Sequence, residues 1–290
     1  MLPRLWWAAP CRMGRLLPTA TTSVPECAVM NLIIAATILA GLPLDQHWAR
    51  FGQLAVSVAA WAVCAMLWMR SEPRTRRALA ACLVIATLGE VFLSLGWGVY
   101  RYRLGNIPLF VPPGHVLLFF LGTQIARRLP ARGEWAVAVL ALPVVALFAW
   151  SGRDTLGPLL YALFLLCLWL SPSRRLYATM FVLSLAMELY GTWIGNWTWT
   201  RDVPWLGLSA ANPPLAAGAF YCVLDLLVVA MVGSTAGQAR VEAERGFAPR
   251  GDTQGMLVLA VAADDLETQR QSARPAAGGN GHGGQSRLRP

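Results

Sequence analysis

The sequence predicts an all-α fold, a polytopic transmembrane bundle of about eight helices with a parallel 4+4 internal repeat. Three observations lead there. Hydrophobic residues make up 56% of the 290-residue chain and charged residues only 13%. An average soluble domain carries about 25% charge, so the polar surface needed to cover a water-facing globule is missing. The apolar runs are continuous rather than alternating, which excludes β-barrel strands. The 24 basic residues, all of them Arg, collect in alternate connections between those runs.

The runs fall at 29–44, 52–69, 78–98, 113–127, 135–151, 156–170, 176–194 and 214–233. Several are shorter than the ~20 residues of a straight crossing, which local bilayer thinning or packing inside the bundle accommodates. With a cytoplasmic N-terminus, the inside segments hold Arg4, Arg12, Arg15, Arg70, Arg74, Arg76, Arg77, Arg127, Arg128, Arg132, Arg174, Arg175, Arg240, Arg245 and Arg250. The outside loops hold only Arg50, Arg101, Arg103, Arg153 and Arg201. Cationic loops stay cytoplasmic, so both termini are expected inside, in a multi-pass protein of the inner (cytoplasmic) membrane. The net charge of +9 then faces anionic lipid head groups rather than nucleic acid.

The chain divides into an N-terminal segment (1–28), a bundle over 29–236 with halves about 29–130 and 131–236, and a tail (237–290). The first segment has no sustained apolar run of signal-peptide type, and Met13 and Met30 are alternative starts. The tail, rich in Gly, Pro, Arg and Gln, is expected to be disordered and cytoplasmic, with 256–263 as a short strand or membrane-docking stretch. Cys64, Cys82, Cys167 and Cys222 lie in spans without metal-ligand spacing and read as packing residues. Cys11 and Cys27 lie in the N-terminal segment. No cofactor is implied.

The repeat rests on an offset of about 98 to 101 residues. LWMRSEPRTRR (67–77) matches LWLSPSRR (168–175), Glu90 matches Glu188, and Pro112-Pro113 matches Pro213-Pro214. Phe119, Phe120 and Gln124 then meet Phe220, Tyr221 and Asp225, and Tyr100-x-Tyr102 faces Trp197-x-Trp199. An even offset of four helices gives both halves one orientation, related by an axis along the membrane normal.

Only Glu90, Glu188 and Asp225 are acidic within the spans. Each costs ~2.5–3.5 kcal/mol at a helix centre, so each needs a partner, a cavity or a proton. Glu90 lies twelve residues past Ala78, roughly 18 Å along the helix, and Glu188 is placed alike relative to Tyr177. Polar stripes at helical spacing, Thr87–Glu90–Ser94 and Ser184–Glu188–Thr192, assign the polar interior to helices 3, 4, 7 and 8. A buried carboxyl favours its neutral form, so Glu90 and Glu188 are expected as acids able to donate. As interhelical hydrogen-bond partners they would instead meet Gln124 or Arg101.

Two tracts at the outer helix ends concentrate the remaining chemistry: GWGVYRYRLGNIPLFVPPGH (96–115) and YGTWIGNWTWTRDVPWLGLSAANPP (190–214). Interfacial aromatics can be simple membrane anchors, but the Gly and Pro imply irregular backbone that must line a cavity or be buried in protein. Tyr100, Arg101, Tyr102, Asn106, His115, Gln124, Trp193, Asn196, Trp197, Trp199, Asn212 and Tyr221 are the candidate substrate-binding residues. His115 has no second His nearby, against a metal site.

Tyr100-x-Tyr102, Leu104-Gly105 and Ile107-Pro108-x-x-Val111-Pro112 together resemble the Y-x-Y…G-x-[VI]-P-x-x-V-P tract of the carotenoid-biosynthesis membrane proteins. That family includes the lycopene- and bacterioruberin-type hydratases. Gly195-x-Trp197-x-Trp199 with Asn212 resembles its later G-x-W-x-W…N segment, and Glu90 falls where the family has an acidic residue. The resemblance covers about 85–230 and implies an isoprenoid substrate.

Independently, the residues suit acid-initiated hydration of an alkene in lipid. A buried carboxylic acid protonates carbon, aromatic faces hold the cation by ~2 kcal/mol or more each when desolvated, and Asn196, Asn212 or His115 positions water. Glu188 is the expected acid, with Glu90 or Asp225 coupled to it. The partners are membrane lipids and a hydrophobic or lipid-linked small molecule; Arg101, Arg103 and Arg201 could hold an anionic head group. Two other readings stand beside this one: a proton-coupled carrier of a small solute or lipid, and a non-catalytic assembly or lipid-binding protein. P-loop, dinucleotide, HExxH and GxSxG motifs are missing from the sequence.

Overall fold

The computed structural model describes residues 24–246. The starts at Met13 and before it, Cys11, and the stretch 256–263 lie outside the described residues. Eight α-helices are present among those described: α1 (Val24–His47), α2 (Ala49–Arg70), α3 (Pro73–Glu90), α4 (Val111–Ala126), α5 (Gly133–Trp150), α6 (Gly157–Leu170), α7 (Arg174–Ile194) and α8 (Gly218–Gly246). The all-α bundle expected from the apolar runs is therefore present.

Among the described residues, four stretches are long and apolar enough to cross a membrane: Ala28–His47, Phe51–Arg70, Pro73–Trp97 and Gly133–Trp150. α4, α6 and the apolar part of α8 are shorter. Large apolar side chains such as Phe51, Leu140, Trp150 and Trp169 face outward. Such a surface is compatible with an integral membrane protein, whose outer face would contact lipid.

Helices α4 and α7 hold the bundle together. α4 packs on α1, α2, α3 and α7, and α7 also packs on α1, α5 and α6. Their buried faces carry Leu117, Leu118, Tyr177 and Met180, and Phe181 stacks on Phe164 of α6 at 4.2 Å.

The turns between α1 and α2, α3 and α4, α5 and α6, and α7 and α8 gather at one end. Arg103 reaches Asp45, Trp61 donates to the Leu109 carbonyl at 3.0 Å, and Leu156 N bonds the Ser209 carbonyl at 2.9 Å. Here the structure differs from a purely irregular rim. α3 continues as a π-helical segment, Val91–Trp97, and the aromatic tracts form strands β1 (Tyr100–Tyr102) and β2 (Trp197–Trp199). A second short ribbon pairs β3 (Asp202–Val203) with β4 (Leu208–Ser209).

β1 and β2 are antiparallel, with Tyr100 opposite Trp199 and Tyr102 opposite Trp197. Side chains alternate across a strand, so all four aromatics point inward while Arg101 and Thr198 point out. Gly98 and Gly195, at φ +75° and +94°, turn the chain from helix into each strand, a conformation open to glycine at little steric cost.

α8 begins at Gly218, four residues later than the apolar run suggests, the chain from Pro214 to Ala217 being a turn rather than helix. A Cβ on Gly218 would collide with the Phe181 backbone of α7, whereas one on Gly233 meets open space. Gly218→Ala is expected to destabilise the bundle by about 1–3 kcal/mol through overpacking. Gly233→Ala should be neutral or slightly stabilising. Thermal unfolding of both variants in detergent checks the pair.

Candidate functional site

The inward face of the β1–β2 ribbon caps two buried carboxylates. Glu90, on the last residue of α3, is 5% exposed, as is Glu188 in α7. Tyr100 and Tyr102 both donate to Glu90 Oε2 at 2.6 Å, and His115 Nε2 lies 2.8 Å from Oε1. Trp197 and Trp199 donate through Nε1 to Glu188 Oε2 at 2.7 and 3.0 Å, and Tyr221 donates to Oε1 at 2.9 Å. In each case one oxygen takes both donors of an aromatic-x-aromatic strand and the other faces a ring from the next helix.

Those two rings meet. His115 of α4 stacks on Tyr221 of α8 with centroids 4.8 Å apart, so the carboxylates are joined through a ring pair rather than directly. Tyr100 packs on Trp199 at 4.9 Å and Tyr102 edge-on to Trp197 at 6.1 Å. Burial, and then the Glu90 charge, push the Tyr100 and Tyr102 phenols well above their ordinary range, so both stay protonated and act as donors.

The two carboxyls differ in what surrounds them. Glu90 sits 2.8 Å from the His115 imidazole in ion-pair geometry. Among the described residues no cation contacts Glu188; its partners are two indoles and a phenol. An indole N–H only donates. With Oε2 accepting from both indoles, a proton on Glu188 belongs on Oε1, facing Tyr221, whose hydroxyl can accept as well as donate.

Beside this cluster lies a cavity of about 70 Å³. Its polar end is Glu188, His115, Tyr100, Tyr102 and Tyr221, with Trp197 alongside; Glu90 is not part of the lining. The remaining wall is apolar, from Ile38 and Leu42 of α1, Val56 and Ala60 of α2, Leu117 and Leu118 of α4, and Met187 of α7, apart from Thr37 of α1, whose hydroxyl donates to the Ile33 carbonyl at 2.8 Å.

The structure therefore brings Glu90, Glu188, Tyr100, Tyr102, His115, Trp197, Trp199 and Tyr221 together. Other sequence candidates stand elsewhere. Trp193 is 81% exposed, one turn past Glu188 on the opposite side of α7. Arg101 is on the outer face of β1, so it is no partner for either acid. Gln124 lies farther along α4 and accepts from Arg127 at 3.4 Å, away from both acids. Asn106 is exposed and donates to Gln53 at 3.1 Å.

Asn196 and Asn212 shape the ribbon instead of lining the cavity. Asn196 donates to the Leu42 carbonyl at 2.9 Å and Asp45 Oδ2 at 2.8 Å, tying β2 to α1. Asn212 Oδ1 accepts from Trp199 N at 2.9 Å. Asp225 is a separate feature: 3% exposed, with no hydrogen-bond partner for Oδ2. It is in electrostatic range of Cys82, Cys167, Cys222 and Tyr177, and no hydrogen bond links it to Glu188. Among the described residues no cluster of His, Cys, Asp and Glu has metal-binding geometry.

Two functional supports escape a reading confined to the spans. Asp45, 2% exposed, holds Arg103 and Asn196, the residues flanking β1 and β2. Asp154 accepts from Gly157 N at 3.0 Å and Leu215 N at 2.8 Å, anchoring the lead into α8. Burial pushes its carboxyl above the ordinary range against those backbone donors. Their signal is positional: Asp45 lies in the last turn of α1 and Asp154 just past the end of α5, on the same side as the aromatic tracts.

Comparison with known protein families, with functionally described proteins and with solved structures gives no match to this chain.

Glu90→Leu removes the acceptor for Tyr100, Tyr102 and His115. An unpaired buried donor costs about 1–3 kcal/mol, so the loss should reach about 3 kcal/mol or more. Glu90→Gln, which keeps a carbonyl acceptor, should lose less than half of that. Chemical denaturation of the purified protein in detergent orders the two variants.

Proposed function

We propose that the protein is a lipid-phase enzyme of a cell inner membrane that hydrates an unsaturated apolar chain by acid initiation. The observation that carries this reading is Glu188 at the polar end of an otherwise apolar cavity, one oxygen engaged by two indoles and the other directed at Tyr221. In this scheme Glu188 Oε1 transfers its proton to an alkene carbon, the π bond becomes the new C–H bond, and the adjacent carbon becomes cationic. Trp197, Tyr100, Tyr102 and Tyr221 present π faces and phenol oxygens to that cation; a desolvated aromatic face contributes ~2 kcal/mol or more. Water adds through oxygen, and the proton it releases returns to the Glu188 carboxylate. The sum is alkene plus water to alcohol, with no oxidant or reductant.

Glu90 and His115 serve as positioning residues in this scheme: they hold Tyr100, Tyr102 and the ring stacked on Tyr221. The two-fold likeness of the carboxylate settings, with the equivalent turns at Gly98 and Gly195, supports a parallel repeat of four plus four helices. The Arg distribution supports cytoplasmic termini. The aromatic-x-aromatic motifs and Glu90 support membership of the carotenoid-biosynthesis membrane proteins and hence an isoprenoid chain as substrate.

One observation favours a second reading, a proton-coupled carrier. Asp225 is a buried carboxyl with an unsatisfied oxygen apart from the aromatic cluster, as a loading site for a proton would be.

The test is mass spectrometry of isoprenoid and pigment extracts from a polyene-producing bacterium carrying wild type, Glu188→Gln or an empty vector. The wild type is expected to yield a product heavier by one water, reduced at least about 100-fold by the mutation, the scale of losing a general acid. Identical extracts from all three strains, with the protein present in the membrane, would overturn hydration of those chains. Proton uptake into vesicles that depends on Asp225 would then favour the carrier.

A further inference from the structure

We infer that Gly114 keeps the Glu188 cavity open for the end of a slim hydrocarbon chain, and that side-chain size at this position selects which chain enters. The inference rests on the proposed reading of the cavity as a substrate site, and it deepens that reading by naming the selecting residue.

Gly114 lies in the first turn of α4, with its N–H bonded to the Phe110 carbonyl at 2.9 Å. A glycine inside a helix weakens it relative to alanine, so its presence needs a cause. Three other helix glycines have one. A Cβ on Gly191 would enter the Trp197 indole, one on Gly122 would meet Met180, and one on Gly89 would meet Leu224 at 2.8 Å. Gly114 has neither a close neighbour nor a positive φ: a Cβ there meets nothing within 4 Å. The space it would fill belongs to the cavity, whose wall Gly114 forms beside His115. Packing and backbone conformation therefore leave the glycine unexplained, and the open volume accounts for it.

The cavity's size and lining indicate the occupant. At about 70 Å³ it holds several times the ~10–15 Å³ a water needs, yet falls far below the ~300–1,000 Å³ of pockets that enclose a whole drug-sized ligand. Only a narrow portion of a larger molecule fits. Away from His115 and Thr37, the wall contributed by α1, α2 and α4 is apolar, and α1 and α2 include spans long enough to cross a membrane. Apart from Thr37, whose hydroxyl is taken up by the Ile33 carbonyl, the polar side chains of the lining are Glu188 and the ring residues around it. That polarity suits a chain whose terminal segment alone takes part in chemistry.

The test uses wild type, Gly114→Ala and Gly114→Leu reconstituted in phosphatidylcholine vesicles, with a straight-chain alkyl probe bearing a terminal diazirine. After photolysis, peptide mass spectrometry locates the label. Wild type should be labelled on the peptide carrying His115 and on that carrying Glu188, and Gly114→Leu should reduce this at least about tenfold, the scale of a steric change in an apolar pocket. Labelling at outward residues such as Trp150 should stay unchanged. Gly114→Ala should melt at or above the wild-type temperature and label less than wild type.

Equal cavity labelling in wild type and Gly114→Leu, or none in wild type, would overturn the proposal. So would a clear drop in the melting temperature of Gly114→Ala, which would make the glycine a packing requirement. Extracts of wild type and Glu188→Gln, measured alongside, separate the two ideas: cavity labelling that depends on Gly114, with no hydrated product from wild type or equal product from Glu188→Gln, would keep the chain site and remove the chemistry.

Discussion

A carboxylate in an apolar bundle must find donors, and in this protein that requirement organises the whole end of the molecule that carries the site. Glu90 and Glu188 each take three hydrogen bonds. Two of the three come from alternate residues of one short strand, which period-2 geometry places on a single face. A ribbon of two three-residue strands has marginal stability on its own. Here its side chains are fastened to the carboxylates below, and its backbone continues the ladder at both ends, with Thr200 N bonded to Val99 O at 2.8 Å and Arg103 N to Asn196 O at 2.9 Å. The acids keep the ribbon in place, and the ribbon keeps water from the acids.

The same arrangement makes the two acids unlike. Tyr hydroxyls and an imidazole can exchange roles as donor and acceptor, whereas an indole cannot. The setting of Glu90 is therefore a network around an ion-pair geometry, and that of Glu188 is a rigid clamp on one oxygen with the other directed at the ring pair and the cavity. A near-symmetric scaffold with unlike donors separates a supporting carboxyl from one that lines the cavity. This is the difference on which the hydratase reading depends, since a general acid needs one reachable oxygen.

Much of this was legible in the residues. Continuous apolar runs, punctuated by Gly, Pro and Arg, located all eight helices, because burial in an apolar phase leaves a periodic and compositional trace. The expense of an intramembrane acid singled out Glu90 and Glu188, and alternation in Tyr100-x-Tyr102 and Trp197-x-Trp199 marked their aromatic neighbours. Trp193 was misjudged because adjacency in sequence to Trp197 says nothing about which side of α7 it faces. Gln124 matched Asp225 only by offset. In space the ring that corresponds to Tyr221 is His115, since α4 already includes its Pro pair whereas α8 starts at Gly218, four residues after Pro214.

Local chemistry thus determined what this chain must bury and which side chains could satisfy it. Tertiary structure decided which of them do. The antiparallel register of β1 and β2, the stacking of His115 on Tyr221, and the attachment of Asn196 and Arg103 to Asp45 are contacts between segments 50 to 150 residues apart. No short-range pattern encodes such pairings; they follow from the way α4 and α7 pack and from the turns at Gly98 and Gly195. The cavity is likewise a property of packing, for it exists only where side chains from α1, α2, α4 and α7 fail to meet.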